Sequence, residues 1–271
     1  MGSLSLYARN KLLDHLFSNT SYTPVATVYL ALCTAEVTEG MTGANIPEVT
    51  YTSYNRAAIT FGAANLTSRN ITQSGSVSFP KSTGGNVTAT HFAVLDSQTI
   101  GAGNLLGFGA LSVSKQIVTN NTPTVASGEC VITSGATGGF SNYVVQKMLD
   151  FMFRNQTFTQ PTPYVGLTTA TVSNTSTGAT ITEVSGTGYA RVASTNFSAA
   201  AAAALSNDAI INLGTGGAGG WGTITSLATL DSITAGAGNL LFYDNDNVVD
   251  QLISEGDPVT IPVGNYTASL T

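Results

Sequence analysis

The hexapeptide Gly101-Ala102-Gly103-Asn104-Leu105-Leu106 recurs letter for letter as Gly236-Ala237-Gly238-Asn239-Leu240-Leu241, an offset of 135 residues in a chain of 271. Whatever one half folds into, the other must fold into as well. The same offset carries Tyr29, Leu32 and Ala35 onto Tyr164, Leu167 and Ala170, and Glu48, Val49, Tyr54 and Arg56 onto Glu183, Val184, Tyr189 and Arg191. Near the start the offset is 136, taking Tyr7, Leu13, Asp14 and Phe17 to Tyr143, Leu149, Asp150 and Phe153. One residue of slippage is a loop insertion. Two tandem domains are expected, 1–135 and 136–271, each large enough to bury about two-thirds of its unfolded surface around a core of its own.

In the second copy Phe140, Val144, Val145, Met148, Leu149, Met152 and Phe153 make one stripe of a helix, with Ser141 or Asn142 as cap. Leu6, Leu12, Leu13, Leu16 and Phe17 repeat the stripe after Ser3 and Ser5. A single stripe predicts a helix laid across one sheet, in preference to an outer face that meets a partner. Prolines (Pro24; Pro161 and Pro163) then lead into the strand-like runs Thr27 to Thr34 and Tyr164 to Thr169. Further strand candidates follow at Tyr54 to Phe61, Ser76 to Phe79, Thr90 to Leu95, Leu105 to Val113 and Cys130 to Thr133. Their counterparts lie at Tyr189 to Phe197, Ala209 to Leu213, Thr223 to Leu230, Leu240 to Tyr243 and Val259 to Ile261. Such spacing predicts a mainly β protein, two tandem antiparallel β-sandwich or barrel domains, each with an N-terminal amphipathic helix packed on a sheet.

Charged residues are 9% of the chain and the net charge is −6. Residues 1–135 hold six basic and six acidic side chains, whereas residues 136–271 hold three and nine. The acidic copy is expected to face solvent or a basic partner. Arg9, Lys11, Arg56, Arg69, Lys81 and Lys115 are scattered and form no phosphate-neutralising run, so nucleic acid is not an expected partner. Nor is a membrane: the longest uniform apolar run is six alanines, 199 to 204, and charges interrupt Met1 to Phe17 where a secretory leader would be apolar.

Chemistry-bearing residues are few. His15 and His91 have no counterparts, facing Phe151 and Ser226 in the other copy, and read as structural. Cys33 and Cys130 occur in the first copy only, in apolar contexts that suit free core thiols. Gly214 to Gly219 matches the dinucleotide fingerprint in letters, but β-type residues follow where a helix is required, so it reads as a loop before Trp221. Asp244, Asp246, Asp250 and Glu255 have the spacing of a calcium loop, yet Val248 and Val249 stand where an oxygen ligand and a glycine belong, so a solvated acidic turn is expected. No cofactor and no catalytic residue is called for.

Glu48, Tyr54 and Arg56 recur in the second copy as Glu183, Tyr189 and Arg191. An arginine stacked on tyrosine and paired with glutamate would pin the loop entering a strand. A ligand-binding arginine is the alternative.

The run Tyr29-Leu30-Ala31-Leu32-Cys33-Thr34-Ala35, with Gly43-Ala44-Asn45, Tyr54-Asn55-Arg56, His91-Phe92-Ala93-Val94-Leu95-Asp96 and Gly103-Asn104-Leu105-Leu106, resembles small tailed-bacteriophage virion proteins of the tail fibre-like, minor tail or decoration type. The second copy repeats it through Tyr164-Val165-Gly166-Leu167, Tyr189-Ala190-Arg191 and Gly238-Asn239-Leu240-Leu241. The resemblance implies a non-enzymatic structural component of the virion, made in the host cytoplasm, that binds other virion proteins of capsid or tail as a homo-oligomer or on a lattice. Two compact like domains without a fibrous shaft favour a capsid decoration (cement) protein. A tail, baseplate or fibre-associated protein is the alternative, and a host-surface carbohydrate-binding module a second one.

Overall fold

In the computed structural model, which describes residues 2–18, 20–135, 139–246 and 250–270, the first repeat runs β1 (Gly2–Leu4), α1 (Leu6–Phe17), β2 (Val28–Cys33), β3 (Ala57–Ile59), β4 (Asn70–Thr72), β5 (Val77–Ser78), β6 (Val87–Leu95), β7 (Leu105–Ile117), β8 (Thr124–Val125) and β9 (Val131–Thr133). The second runs α2 (Asn142–Arg154), β10 (Tyr164–Thr168), β11 (Val192–Ala193), β12 (Ala204–Ser206), β13 (Ile211–Thr215), β14 (Gly222–Ile224), β15 (Ser226–Leu230), β16 (Leu240–Asp244), β17 (Gln251–Ile253), β18 (Pro258–Ile261) and β19 (Thr267–Ser269). Serine starts both helices. Ser5 Oγ accepts from the Ala8 amide at 3.1 Å and donates to the Leu105 carbonyl. Ser141 Oγ accepts from Val144 at 3.2 Å and donates to the Leu240 carbonyl. One hydroxyl thus caps the helix and ties it to the strand of the repeated hexapeptide. Ser3 lies in β1, so Ser5 is the cap of α1.

The first sheet has the order β3-β2-β6-β7-β1-β9-β4 and is antiparallel except where β1 meets β9. The second repeat keeps the same centre, β11-β10-β15-β16, with Leu167 opposite Leu227 as Leu32 is opposite Phe92. Its long hairpin is divided. The far ends of β6 and β7, which pair Val87 with Ile117, correspond to a separate ladder, β14 with β17, pairing Gly222 with Ile253. Tyr54 and Tyr189 lie ahead of β3 and β11, so those strands are shorter than their apolar pattern suggests.

The expectation of one core per copy is corrected by the packing. A single cluster of buried apolar side chains runs through both repeats, and both helices belong to it. The contacts are reciprocal. Asp14 on α1 accepts a hydrogen bond from the Ala200 amide at 2.7 Å, and Asp150 on α2 accepts one from the Ala64 amide at 2.8 Å. Phe17 meets Phe197 at 5.0 Å between ring centroids, and Phe153 meets Phe61 at 5.2 Å. An offset of 136 carries each member of one contact onto its counterpart in the other, the pattern of a twofold interface. His15 and Phe151, themselves counterparts, stack on each other at 4.6 Å, as residues beside a twofold axis must. Each helix therefore covers its own sheet with one side and reaches the other repeat with the next.

A shared core predicts coupled unfolding. Trp221, the single tryptophan, is buried in the second repeat, and Ile71 is buried in β4 of the first. Ile71→Ala is expected to cost about 2–5 kcal/mol and to lower the denaturant midpoint read by Trp221 fluorescence by that cost divided by the denaturant slope. An unmoved tryptophan transition would mean that the repeats unfold independently.

Candidate functional site

Both copies of the Glu-Tyr-Arg constellation assemble. Arg56, 1% exposed, spends every donor of its guanidinium. Nε donates to Glu48 Oε1 at 2.9 Å, Nη2 to Glu48 Oε2 at 2.9 Å and to Gly43 O at 3.2 Å, and Nη1 to Ser97 O at 2.9 Å and Ala102 O at 2.8 Å. Arg191 repeats the pattern, with Nε and Nη2 on Glu183 at 2.7 and 2.8 Å, and Nη1 on Ser232 O and Ala237 O at 2.7 and 2.8 Å. A guanidinium so used has no donor left for a ligand, which removes the ligand-binding alternative for Arg56.

The tyrosine role differs from stacking. Tyr54 Oη donates to Glu48 Oε1 at 2.7 Å and accepts from the Leu32 amide at 3.2 Å, while its ring meets Tyr51 and Phe79. Tyr189 does the same with Glu183 at 2.8 Å and Leu167 at 2.8 Å. Burial, and then the neighbouring carboxylate, push both phenols above their ordinary range. Each tyrosine thus hooks the charged pair onto the central strand, β2 or β10.

What the hub holds is a pair of loops. Asp96 accepts from the Asn104 amide at 2.6 Å and from its side-chain nitrogen at 2.7 Å, and Asp231 holds Asn239 at 2.6 and 2.8 Å. Gly103 and Gly238 take φ values of 90° and 87°, and a Cβ there would fall 2.6 Å from that of Ser97 or Ser232. These are clasps that close the loops Asp96–Asn104 and Asp231–Asn239. Gly43 and Gly178 bring the long polar loops against them, with amides donating to Gly103 O and Gly238 O at 2.9 Å. Ile100 and Ile233 stand exposed on the clasped loops. The arrangement is a hydrogen-bonded loop platform, built twice.

The remaining candidates fall elsewhere. His15 is buried between the repeats, its Nδ1 accepting from the Tyr22 amide at 3.3 Å and its Nε2 donating to Phe158 O at 2.9 Å. His91 lies in β6 beside Thr90. Cys33 and Cys130 are free and buried, and burial pushes each thiol up to about 12. Gly214 to Gly219 leads into β14, a strand. Asp244 ends β16 and accepts from the Asp246 amide at 3.0 Å, while Asp250 and Glu255 are exposed on either side of β17. Val248 and Val249 lie outside the described residues. Among the described residues no three His, Cys, Asp or Glu side chains come together as metal ligands, and no helix is long and apolar enough to cross a membrane.

A family model described as podophage GP4 fiber I protein gp80 matches the chain twice, over residues 3–133 and 139–269. No curated protein matches. Both matches span a complete platform with its hub and helix.

Arg56→Ala leaves Glu48 buried without its partner, and the expected loss is about 3–5 kcal/mol in chemical denaturation, with Arg191→Ala costing a similar amount. Arg56→Lys recovers little of it, since an ammonium cannot span the carboxylate and three carbonyls. His15 yields a second expectation. Desolvation, opposed by the bond to Phe158 O, lowers its folded pKa below the unfolded value of 6.5. Neutral His15 therefore contributes stability that is fully present above pH 6.5 and is lost as pH falls from there toward the lower folded value. Denaturation between pH 7.5 and 5 is expected to show this slope, and His15→Gln to flatten it; equal slopes would refute the assignment.

Proposed function

The chain belongs to the podophage GP4 fiber I protein gp80 family, and on that premise we propose that it is a fibre-type, tail-associated structural component of a phage particle. The observation that carries the reading is the match of the family model to both repeats, since a fibre description fits the tail alternative better than the capsid-decoration role expected from sequence. The architecture supports it. Two like platforms sit on repeats that share a buried core, so one chain offers two like surfaces to other virion proteins. Loops that are closed by saturated hydrogen bonds lose little entropy on docking, which favours protein contacts over flexible capture.

Gold-labelled antibody against the purified chain, imaged on whole particles, is expected to mark the tail region, and quantitative mass spectrometry to return a copy number suited to a single tail. Label spread over the head, at a copy number matching the capsid lattice, would return the reading to decoration. Particles lacking the chain are expected to lose adsorption or tail assembly while heads keep their heat resistance.

A further inference from the structure

A cleft of about 360 Å³ lies in the second repeat between α2, the loop that follows it and the clasped loop that starts at Asp231. Tyr143 and Lys147 form one wall from successive turns of α2, Phe158, Gln160 and Pro161 form the next, and Asp231 closes the third side. Much of this recurs in the first repeat. Tyr7, Lys11 and Asp96 are the counterparts of Tyr143, Lys147 and Asp231, and each lysine stands 5.7 Å from the centroid of its tyrosine ring. Tyr22 and Phe158 correspond as well: Tyr22 packs on Phe151 at 6.1 Å between centroids and Phe158 on His15 at 5.6 Å, one contact carried across the twofold. At that position the copies differ by a single oxygen. In the first repeat the hydroxyls of Tyr7 and Tyr22 meet, their rings edge to face at 6.4 Å. Phe158 has no hydroxyl to offer Tyr143. The second difference is Gln160, whose Nε2 is buried with no hydrogen-bond partner, whereas the first repeat has no amide side chain between Tyr22 and β2.

These groups decide what can occupy the cleft. A buried amide nitrogen without a partner needs an acceptor. Asp231 needs donors: Asn239 holds its two oxygens at 2.6 and 2.8 Å, which fixes the carboxylate in place and leaves each oxygen a lone pair. Among the described residues no carboxylate forms an ion pair with Lys147, so its ammonium is a further donor. A small anion is repelled by Asp231 and a small cation by Lys147, and a purely apolar molecule leaves Gln160 Nε2 unpaired. A pyranose meets every demand at once. Its hydroxyls both donate and accept, its C–H face packs on the Phe158 ring and Pro161, and the cleft falls within the roughly 300–1,000 Å³ of small-molecule sites.

We propose that this cleft binds a pyranose unit of a glycan, with Gln160 Nε2 and Lys147 Nζ donating to its hydroxyl oxygens, Asp231 accepting from its hydroxyls, and Tyr143 Oη taking from the sugar the contact that Tyr22 supplies to Tyr7. The backbone under the site is held from the first repeat, since His15 Nε2 donates to Phe158 O at 2.9 Å. The inference goes beyond the tail assignment and does not depend on it, and it makes the two repeats unequal: one closes its tyrosine internally and the other leaves it for a ligand.

The test uses the full chain labelled with nitrogen-15 and follows the side-chain amide signals of Gln160 during titration with the methyl α-pyranosides of glucose, galactose, mannose, rhamnose and N-acetylglucosamine. At least one is expected to shift those signals saturably, with a dissociation constant of about 1 mM or tighter. Phe158→Tyr, which restores the oxygen present in the first repeat, and Gln160→Ala are each expected to weaken that sugar about tenfold or more at an unchanged melting temperature. Tyr22→Phe, the reverse exchange in the first repeat, is expected to leave its affinity for the second-repeat site as it was. No shift with any of the five at about 50 mM overturns the proposal. So does glycerol binding as tightly as the best sugar, which would mark a nonspecific polyol contact, or sodium sulfate or toluene doing so, which would mark an anion site or an apolar one. Binding that survives both Phe158→Tyr and Gln160→Ala places the sugar elsewhere and overturns it as well. None of these results bears on where antibody labels the particle, so failure here is separable from failure of the tail assignment.

Discussion

Each helix of this protein has more apolar surface than its own sheet covers, and the other repeat supplies the rest. Phe17 and Phe153 are 1% and 4% exposed, and the rings nearest them include Phe197 and Phe61 from the opposite copy. Removing either repeat would uncover the far side of the remaining helix and leave Asp14 or Asp150 without the backbone amide it accepts from. Exposing a large ring and its apolar neighbours to water costs several kcal/mol, a large fraction of the total stability of a typical domain. The chain carries two copies of one topology, and their largest buried cluster is shared between them, with a smaller one left to each.

The hubs are internal to each repeat and hold the loops at its surface. A buried ion pair contributes little stability over an apolar replacement, because desolvation offsets attraction. Its value here is geometric: one planar group fixes a glutamate and carbonyls from two loops at once. The loops that result are closed by hydrogen bonds between side chains and main chain.

Much of this is legible in the residues themselves. The helices and their serine caps follow from periodicity, and β2, β6 and β9 from apolar runs between turn residues. Glu48 and Arg56 pair as their repeated spacing suggests. The partners of Arg56 other than Glu48 are backbone carbonyls, which have no sequence signature, and the tyrosine turns to the carboxylate because a buried hydroxyl needs an acceptor more than the guanidinium needs a ring. Short strands such as β12, set in a run of alanines, exist because β19 pairs with them and not because of any local pattern. The reciprocal helix contacts escaped for a related reason: an apolar stripe reports that a surface is buried and says nothing about which copy buries it.

The contact of His15 with Phe151 carries a consequence for how such a chain can diversify. In a dimer of separate identical subunits, a residue beside the symmetry axis meets itself, so histidine would face histidine and two cations would be forced together on acidification. Joining the copies in one polypeptide lifts that restriction. Each position near the axis can differ between the halves, and a ring without charge can stand against the single titratable one. Covalent linkage thus gives the molecule the inventory of a heterodimer while its assembly requires no recognition between different genes' products.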